Sequence, residues 1–111
     1  MTVKELRDMC SFDTVVMPDP DREVKGAYMG DLLSWVMGRA EEGNAWITIM
    51  NNVNTIAVAS LADVSCVILS EGVVLDDDLA KTADMKGVNV FTSKQPSFET
   101  ALSIGKVIGY E

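Results

Sequence analysis

The sequence predicts an α/β domain of three layers (α/β/α), in which helices cover both faces of a largely parallel sheet. From residue 45 onward, strand-like and helical patterns alternate three times, which is typical of a parallel sheet. Residues 65–69 form a run without polar alternation, as in a strand covered on both faces. Because 48% of the 111 residues are hydrophobic, we expect one domain with its own core over residues 1–111.

The predicted elements follow one another along the whole chain. They are a helix over residues 3–9, strands over 12–17 and 23–29, a helix over 31–37, a strand over 45–50, a helix over 55–62, a strand over 65–69, a helix over 76–86, a strand over 88–91 and a helix over 97–108. The direction of the first two strands stays open.

Capping residues and turns define the elements of the N-terminal half. Thr2 and Glu5 fit a capping box at the start of the first helix. The two prolines in Pro18-Asp19-Pro20-Asp21 separate the first two strands by a turn. Asp31 follows Gly30 and is the predicted N-cap of the second helix.

The later elements begin and end at similar positions. Residues 45–50 are β-rich and precede capping-type asparagines and a helix of small residues. Three aspartates, residues 76–78, complement the helix macrodipole at the start of the next helix, and Gly87 ends it. Ser97 is the predicted cap of the last helix.

Charge and composition exclude several function classes. With 9 basic and 17 acidic residues, the net charge of -8 argues against binding to nucleic acid or to an anionic membrane surface. The chain has no histidine, which removes imidazole-based triads and histidine-ligated zinc. No nucleophile stands beside a base. We therefore expect no enzymatic activity, no metal and no cofactor.

We expect neither a targeting segment nor a membrane-spanning segment. Its first residues lack the basic and apolar regions of a signal peptide, and no apolar run approaches the ~20 residues of a membrane span. Cys10 and Cys66 are far apart and outside any CxxC pattern, so we interpret them as reduced thiols. These observations predict a cytoplasmic protein.

The helix over residues 31–37 is apolar almost all round, with Asp31 and Ser34 as its polar residues. Such a helix is buried on more than one side. It is either a central helix or a helix shared with another subunit, and the second alternative predicts a homodimer. The predicted interface residues are Tyr28, Met29, Leu32, Leu33, Trp35, Val36 and Met37.

Polar residues follow three of the predicted parallel strands. Ligands collect at the carboxyl ends of strands in open parallel sheets, so these positions form a candidate small-molecule site. Ordinary helix capping is the alternative explanation for the asparagines and serines. The candidate ligand-binding residues are Asn51, Asn52, Asn54, Ser70, Glu71, Gly72, Ser93 and Lys94.

Several blocks of the sequence resemble the small DRTGG-domain proteins. They are Gly30-Asp31-Leu32-Leu33-Ser34-Trp35-Val36-Met37-Gly38, Val67-Ile68-Leu69-Ser70-Glu71-Gly72 and Gly87-Val88-Asn89-Val90-Phe91. The family is similar to the N-terminal domain of HPr kinase/phosphorylase. The resemblance implies an α/β/α fold and, as in related domains of phosphotransacetylases and pyrophosphatases, a role in dimerisation and regulation. Kinase activity is not implied, because the catalytic P-loop belongs to a separate domain.

The chain departs from the motif that names the family. Asn51-Asn52 stands where the family has Asp-Arg, and Ser70-Glu71-Gly72 stands where it has Thr-Gly-Gly. Two hypotheses follow. The first is a non-catalytic regulatory or interaction module that forms a homodimer, with a further protein as a second possible partner. The alternative is a sensor that binds a nucleotide or phosphometabolite at the strand ends.

Overall fold

One sheet of five strands, in the order β1-β5-β4-β3-β2, lies between two layers of helices. The computed structural model describes residues 1–109. The strands are β1 (Asp13–Val16), β2 (Gly26–Met29), β3 (Asn44–Thr48), β4 (Cys66–Leu69) and β5 (Val90–Thr92). The helices are α1 (Val3–Cys10), α2 (Leu33–Arg39), α3 (Val53–Leu61), α4 (Asp77–Met85) and α5 (Ser97–Ile108).

Strands β2 to β5 are parallel neighbours in chain order, and β1 joins the far edge antiparallel to β5. The direction that the sequence left open is therefore parallel for β2 and antiparallel for β1. Each connection from β2 to β3, β3 to β4 and β4 to β5 moves one strand along the sheet in the same direction. Because such connections are right-handed, α2, α3 and α4 lie on the same face of the sheet. Helices α1 and α5 cover the other face.

Alternate side chains of the central strands fill two cores. Trp46, Val67 and Val90 pack with Val36 and Ile56 beneath the layer of three helices. On the other face, Ile47, Ile68 and Phe91 pack with Leu6 and Ile104 beneath the layer of two helices. All these side chains are almost completely buried, so the predicted α/β/α fold with a largely parallel sheet is confirmed.

Three helices begin at capping side chains that the sequence indicates. The Thr2 hydroxyl accepts from the N–H of Glu5, and the Glu5 carboxylate accepts from the N–H of Thr2, which is the predicted capping box. Asp76 caps α4 through the N–H of Leu79. Asn52 caps α3, which begins at Val53 and so starts two residues before the predicted position.

Two predicted caps are wrong. Asp31 does not cap α2: Leu32 occupies that position without a side-chain bond, and the Asp31 carboxylate instead accepts from the Thr48 hydroxyl and the N–H of Ile49. Ser97 is the first residue of α5 and not its cap, because Pro96 precedes the helix. In both cases a partner distant in sequence decides what the side chain does.

Candidate functional site

The loops after β4 and β5 are joined at the carboxyl edge of the sheet. The N–H of Glu71 donates to the carbonyl of Gln95 at 2.8 Å, and the N–H of Gly72 donates to the carbonyl of Ser93 at 3.0 Å. Four predicted ligand-binding residues, Ser70, Glu71, Gly72 and Ser93, are thereby brought to one place, as the topology of a parallel sheet requires.

A carboxylate occupies the N-terminus of α5 at this place. The N–H of Ser97 donates to Oε2 of Glu71 at 2.6 Å, and the Ser97 hydroxyl is 2.7 Å from the Ser70 hydroxyl. Glu71 is in the left-handed region, with φ 61°, which turns the loop so that its side chain reaches the helix. The negative charge lies at the positive end of the helix dipole, where an anionic ligand would have to displace it.

Ser93 and Lys94 border a polar cavity of about 470 Å³ beside the end of β5. Ser93 is buried, its Oγ lies 2.9 Å from Oγ1 of Thr100, and it also accepts from the N–H of Gln95. Lys94 is exposed, and no carboxylate within residues 1–109 forms an ion pair with it. The cavity is lined by Met9, Cys10, Ser11, Asp13, Thr92, Ser93, Lys94, Gln95 and Ser103. The cavity therefore has a polar lining with one cationic group, Lys94, and one carboxylate, Asp13.

The three asparagines have structural partners or lie in the first turn of α3. Asn52 accepts from the N–H groups of Asn54 and Thr55, so the capping interpretation is correct for Asn52. The side-chain amide of Asn51 donates to the carbonyl of Val74 at 2.9 Å, which ties the loop after β3 to the loop after β4. In the described part of the chain, no hydrogen bond joins these asparagines to Ser93 or Lys94.

A second surface surrounds the outer edge of β2 and is apolar. On the α2 side, a cavity of about 450 Å³ is lined by Tyr28, Met29, Gly30, Asp31, Leu32, Trp35 and Arg39. The exposed fraction is 52% for both Met29 and Trp35, and the Arg39 guanidinium lies 3.9 Å from the centre of the Trp35 ring.

 The Trp35 ring therefore carries the Arg39 guanidinium on one face, and about half of the Trp35 side chain is exposed.

The apolar surface continues past β2 onto the α5 side. A groove of about 520 Å³ lies between β2 and α5 and is lined by Ala27, Tyr28, Met29, Ile47, Phe98, Ala101, Leu102, Gly105 and Lys106. Tyr28 and Met29 line both depressions, so the two form one surface across the sheet edge. We call it the β2-edge surface, and it comprises the lining residues of the groove and of the α2-side cavity.

The predicted interface set overlaps this surface only in part. Tyr28, Met29, Leu32 and Trp35 lie on it. Val36 is an error in the predicted set, because its side chain has no exposed surface and belongs to the core beneath α2. Leu33 packs partly buried against the same core, and Met37 is exposed on α2 but lines neither depression.

Sequence reasoning missed the contribution of α5. Phe98 is 69% exposed, and Leu102 is exposed beside it on the groove. Both were predicted only as apolar residues of the last helix. A signal was present, because the apolar residues 98, 101, 102, 104 and 108 span more of the helix than one narrow core-facing stripe requires.

The two thiols are not arranged for nucleophilic chemistry. Burial raises the pKa of Cys66 to about 12, and burial also raises the pKa of the half-buried Cys10. A raised pKa disfavours the thiolate, which is the reactive form. Within residues 1–109, no cluster of three acidic or cysteine side chains is placed to hold a metal ion, and no helix has the length and apolar character to cross a membrane.

The fold has a known structural relative. It is similar to the CBS and DRTGG domains of the regulatory region of a Clostridium perfringens pyrophosphatase, solved in complex with the activator diadenosine tetraphosphate. The TM-score is 0.69 at 18% identity, and the match covers 93% of this chain and 45% of that chain. The chain thus spans less than half of that regulatory region, and the likeness concerns the fold.

No curated protein matches the chain. A protein-family model does match it, in agreement with the structural match. The family model of the DRTGG domain matches residues 21–107, which include all strands from β2 to β5 and nearly all of α5. The chain therefore belongs to the DRTGG domain family.

Proposed function

We propose that this chain is a non-catalytic regulatory module that acts as a homodimer. The observation that carries the proposal is the β2-edge surface, where Met29, Leu32, Trp35, Phe98 and Leu102 are all exposed around one strand. Monomeric proteins rarely expose a contiguous apolar surface of this kind, and such surfaces mark interaction sites.

The composition of this surface supports a protein contact. Aromatic residues, methionine and arginine are enriched in interfaces, and Trp35, Phe98, Met29 and Arg39 are of these types. The stack of Arg39 on Trp35 holds both side chains in place before a partner arrives. Less side-chain entropy is then lost on association.

The chemistry of the chain supports a role without catalysis. Burial raises the pKa of both Cys10 and Cys66, which disfavours their reactive thiolate forms. The sequence has no histidine to act as an acid or base. Both cysteines are free, which fits the reducing cytoplasm that we propose as the location of the protein.

Light scattering coupled to size-exclusion chromatography tests the proposal directly. The full chain at micromolar concentration is expected to elute with twice its 12.0 kDa mass. A species that stays at the mass of one chain up to high micromolar concentration would contradict the homodimer.

A second candidate function is a small-molecule sensor, and one observation favours it. The structural relative was solved with a dinucleotide activator, diadenosine tetraphosphate. In this chain, the cavity beside Ser93 and Lys94 has a mainly polar lining. An exposed lysine without an ion-pair partner among residues 1–109 can bind a phosphate group.

A thermal-shift measurement tests the sensor function. Diadenosine tetraphosphate, ADP and inorganic phosphate are added separately, and a ligand that binds only the folded chain raises the Tm. Lys94→Gln is the matched variant, and we expect it to reduce the shift because it removes the cation. Equal Tm values with and without all three probes would reject the sensor function for these ligand classes.

A further inference from the structure

The outer edge of β2 is an open edge in the described chain. β2 is the last strand in the sheet order and pairs with β3 alone. The N–H of Gly30 donates to the carbonyl of Ile47 at 3.1 Å, toward β3. Because N–H groups alternate between the two sides of a strand, those of Ala27 and Met29 point away from β3. An edge of this kind can pair with another strand.

The two edges of the sheet differ in how they are protected. At the other edge, β1 begins with the exposed Asp13 and has an irregular register between Thr14 and Val16. A charge and a bulge both discourage pairing with another strand. β2 consists of Gly26, Ala27, Tyr28 and Met29 in regular register with β3, and has neither a charge nor a proline. The β2 edge is therefore the one suited to pairing.

Apolar side chains flank this edge on both faces of the sheet. Phe98 and Leu102 lie on the α5 side, and Leu32 and Trp35 lie on the α2 side. A single added strand would leave most of these side chains exposed. A second copy of the chain would bring both a strand and matching apolar residues on both faces.

A twofold axis perpendicular to the sheet gives this arrangement. It sets the two β2 strands antiparallel and places each α5 opposite the partner's α5, and each α2 opposite the partner's α2. The same surface then serves both copies, as an isologous contact requires.

The charges on the surface permit contact between two acidic chains. Each copy carries a net charge of -8, so contact through an acidic face would be repulsive. Among the described residues, Asp31 is the acidic residue that lines the β2-edge surface, and its carboxylate is held by Thr48 and Ile49. Arg39 and Lys106 also line the surface, so its local charge is not negative.

We propose that two copies join through their β2 edges in antiparallel orientation, so that the two sheets form one continuous sheet. This inference rests on the proposed homodimer and assigns its contact surface. Backbone hydrogen bonds of Ala27 and Met29 hold the sheets together, and the apolar side chains on both faces exclude water from the contact.

Two variants and one control test the contact by light scattering. Met29→Pro removes an N–H that points to the open edge, so a monomer loses no bond to β3 while pairing is blocked. Leu102→Glu places a carboxylate in the groove. We expect both to raise the Kd of the dimer by about tenfold or more, the effect of losing an interface anchor. Met85→Lys changes an exposed methionine at the end of α4 and is expected to leave the dimer intact.

Hydrogen exchange on the unmodified chain gives a second readout. The amides of Ala27 and Met29 are expected to exchange slowly in the dimer and to become faster on dilution to the monomer. This measurement needs no substitution, so it decides the question even if Met29→Pro does not fold.

The outcomes separate this inference from the proposed function. A dimeric wild type with fast exchange at Ala27 and Met29, or with a dimeric, folded Met29→Pro, overturns the β2 contact and leaves the homodimer standing. Loss of the dimer in Met85→Lys also overturns it, because α4 would then carry the interface. A wild type that is monomeric at every concentration rejects both proposals.

Discussion

The N–H of Ser97 donates a hydrogen bond of 2.6 Å to the carboxylate of Glu71, which lies 26 residues earlier in the chain. The bond connects the loop after β4 to the first turn of α5, whose N-cap Pro96 offers no side-chain bond. The Glu71 carboxylate therefore accepts from an N–H group in the first turn of α5, which is the role of a capping side chain.

Replacing Glu71 separates its capping role from its backbone strain. Glu71→Ala removes the bond to Ser97 and keeps an L-residue at φ 61°, so we expect a loss of about 1 kcal/mol in the free energy of unfolding. Glu71→Gly also removes the bond but is relaxed in the left-handed region, so its loss should be smaller. Urea denaturation measures both values. A glycine variant less stable than the alanine variant would contradict the assigned strain.

Two buried threonines are expected to respond in opposite ways to the same substitution. Oγ1 of Thr55 is buried and has no hydrogen-bond partner within residues 1–109. Thr55→Val removes an unsatisfied polar group and should stabilise the chain by about 1 kcal/mol.

Thr100→Val is the matched control for that substitution. Oγ1 of Thr100 is 2.9 Å from Oγ of Ser93 and also bonds the carbonyl of Gln95. Thr100→Val takes the side-chain partner away from the buried Ser93 hydroxyl, and we expect a cost of about 1–3 kcal/mol. Thermal and urea denaturation give both changes, and equal effects of the two variants would contradict the difference in hydrogen bonding.

Glu42 makes stability depend on pH in the acid range. Hydrogen bonds from Lys25 and then Arg22, with the charges of both, lower the pKa of its carboxyl below the ordinary value of 4.5. Because the folded pKa is the lower one, this contribution is complete above pH 4.5 and is lost as the pH falls through the folded pKa. We expect the urea midpoint to fall between pH 5 and pH 3.

The variant Glu42→Gln identifies the source of this dependence. It cannot titrate at position 42, so its urea midpoint should change less over the same pH range than that of the wild type. Glu5 also has a lowered pKa, through its bonds with Thr2, so part of the dependence should persist. An unchanged pH profile in Glu42→Gln would show that the ion pairs at this position contribute nothing.

Local signals were sufficient for the elements and for several caps. The reciprocal bonds of Thr2 and Glu5 involve residues three apart, and Asn52 and Asp76 cap helices through neighbours in sequence. Where the hydrogen-bond partner is distant in sequence, the same residue types led to wrong predictions of helix caps. Asp31 bonds across to the end of β3, and Ser97 bonds the residue pair Ser70 and Glu71.

The candidate sites also divide into features that local sequence predicts and features that depend on tertiary contacts. Because the carboxyl ends of parallel strands meet at one edge, the sequence correctly predicted that the residues after β4 and β5 lie together. It identified an excess of apolar surface around Trp35, but it could not separate the buried Val36 from the exposed Met37 on the same short helix. That distinction depends on which side of α2 meets the sheet.

The amino-acid sequence by itself determined the class of fold, the acidic charge and the lack of an imidazole, because composition and periodicity are local properties of the chain. Only the tertiary structure decided that β2 ends the sheet, that α5 lies beside it, and that Glu71 reaches α5. These relationships depend on strand order and on contacts between distant residues, and no local pattern encodes which strand is left with an open edge.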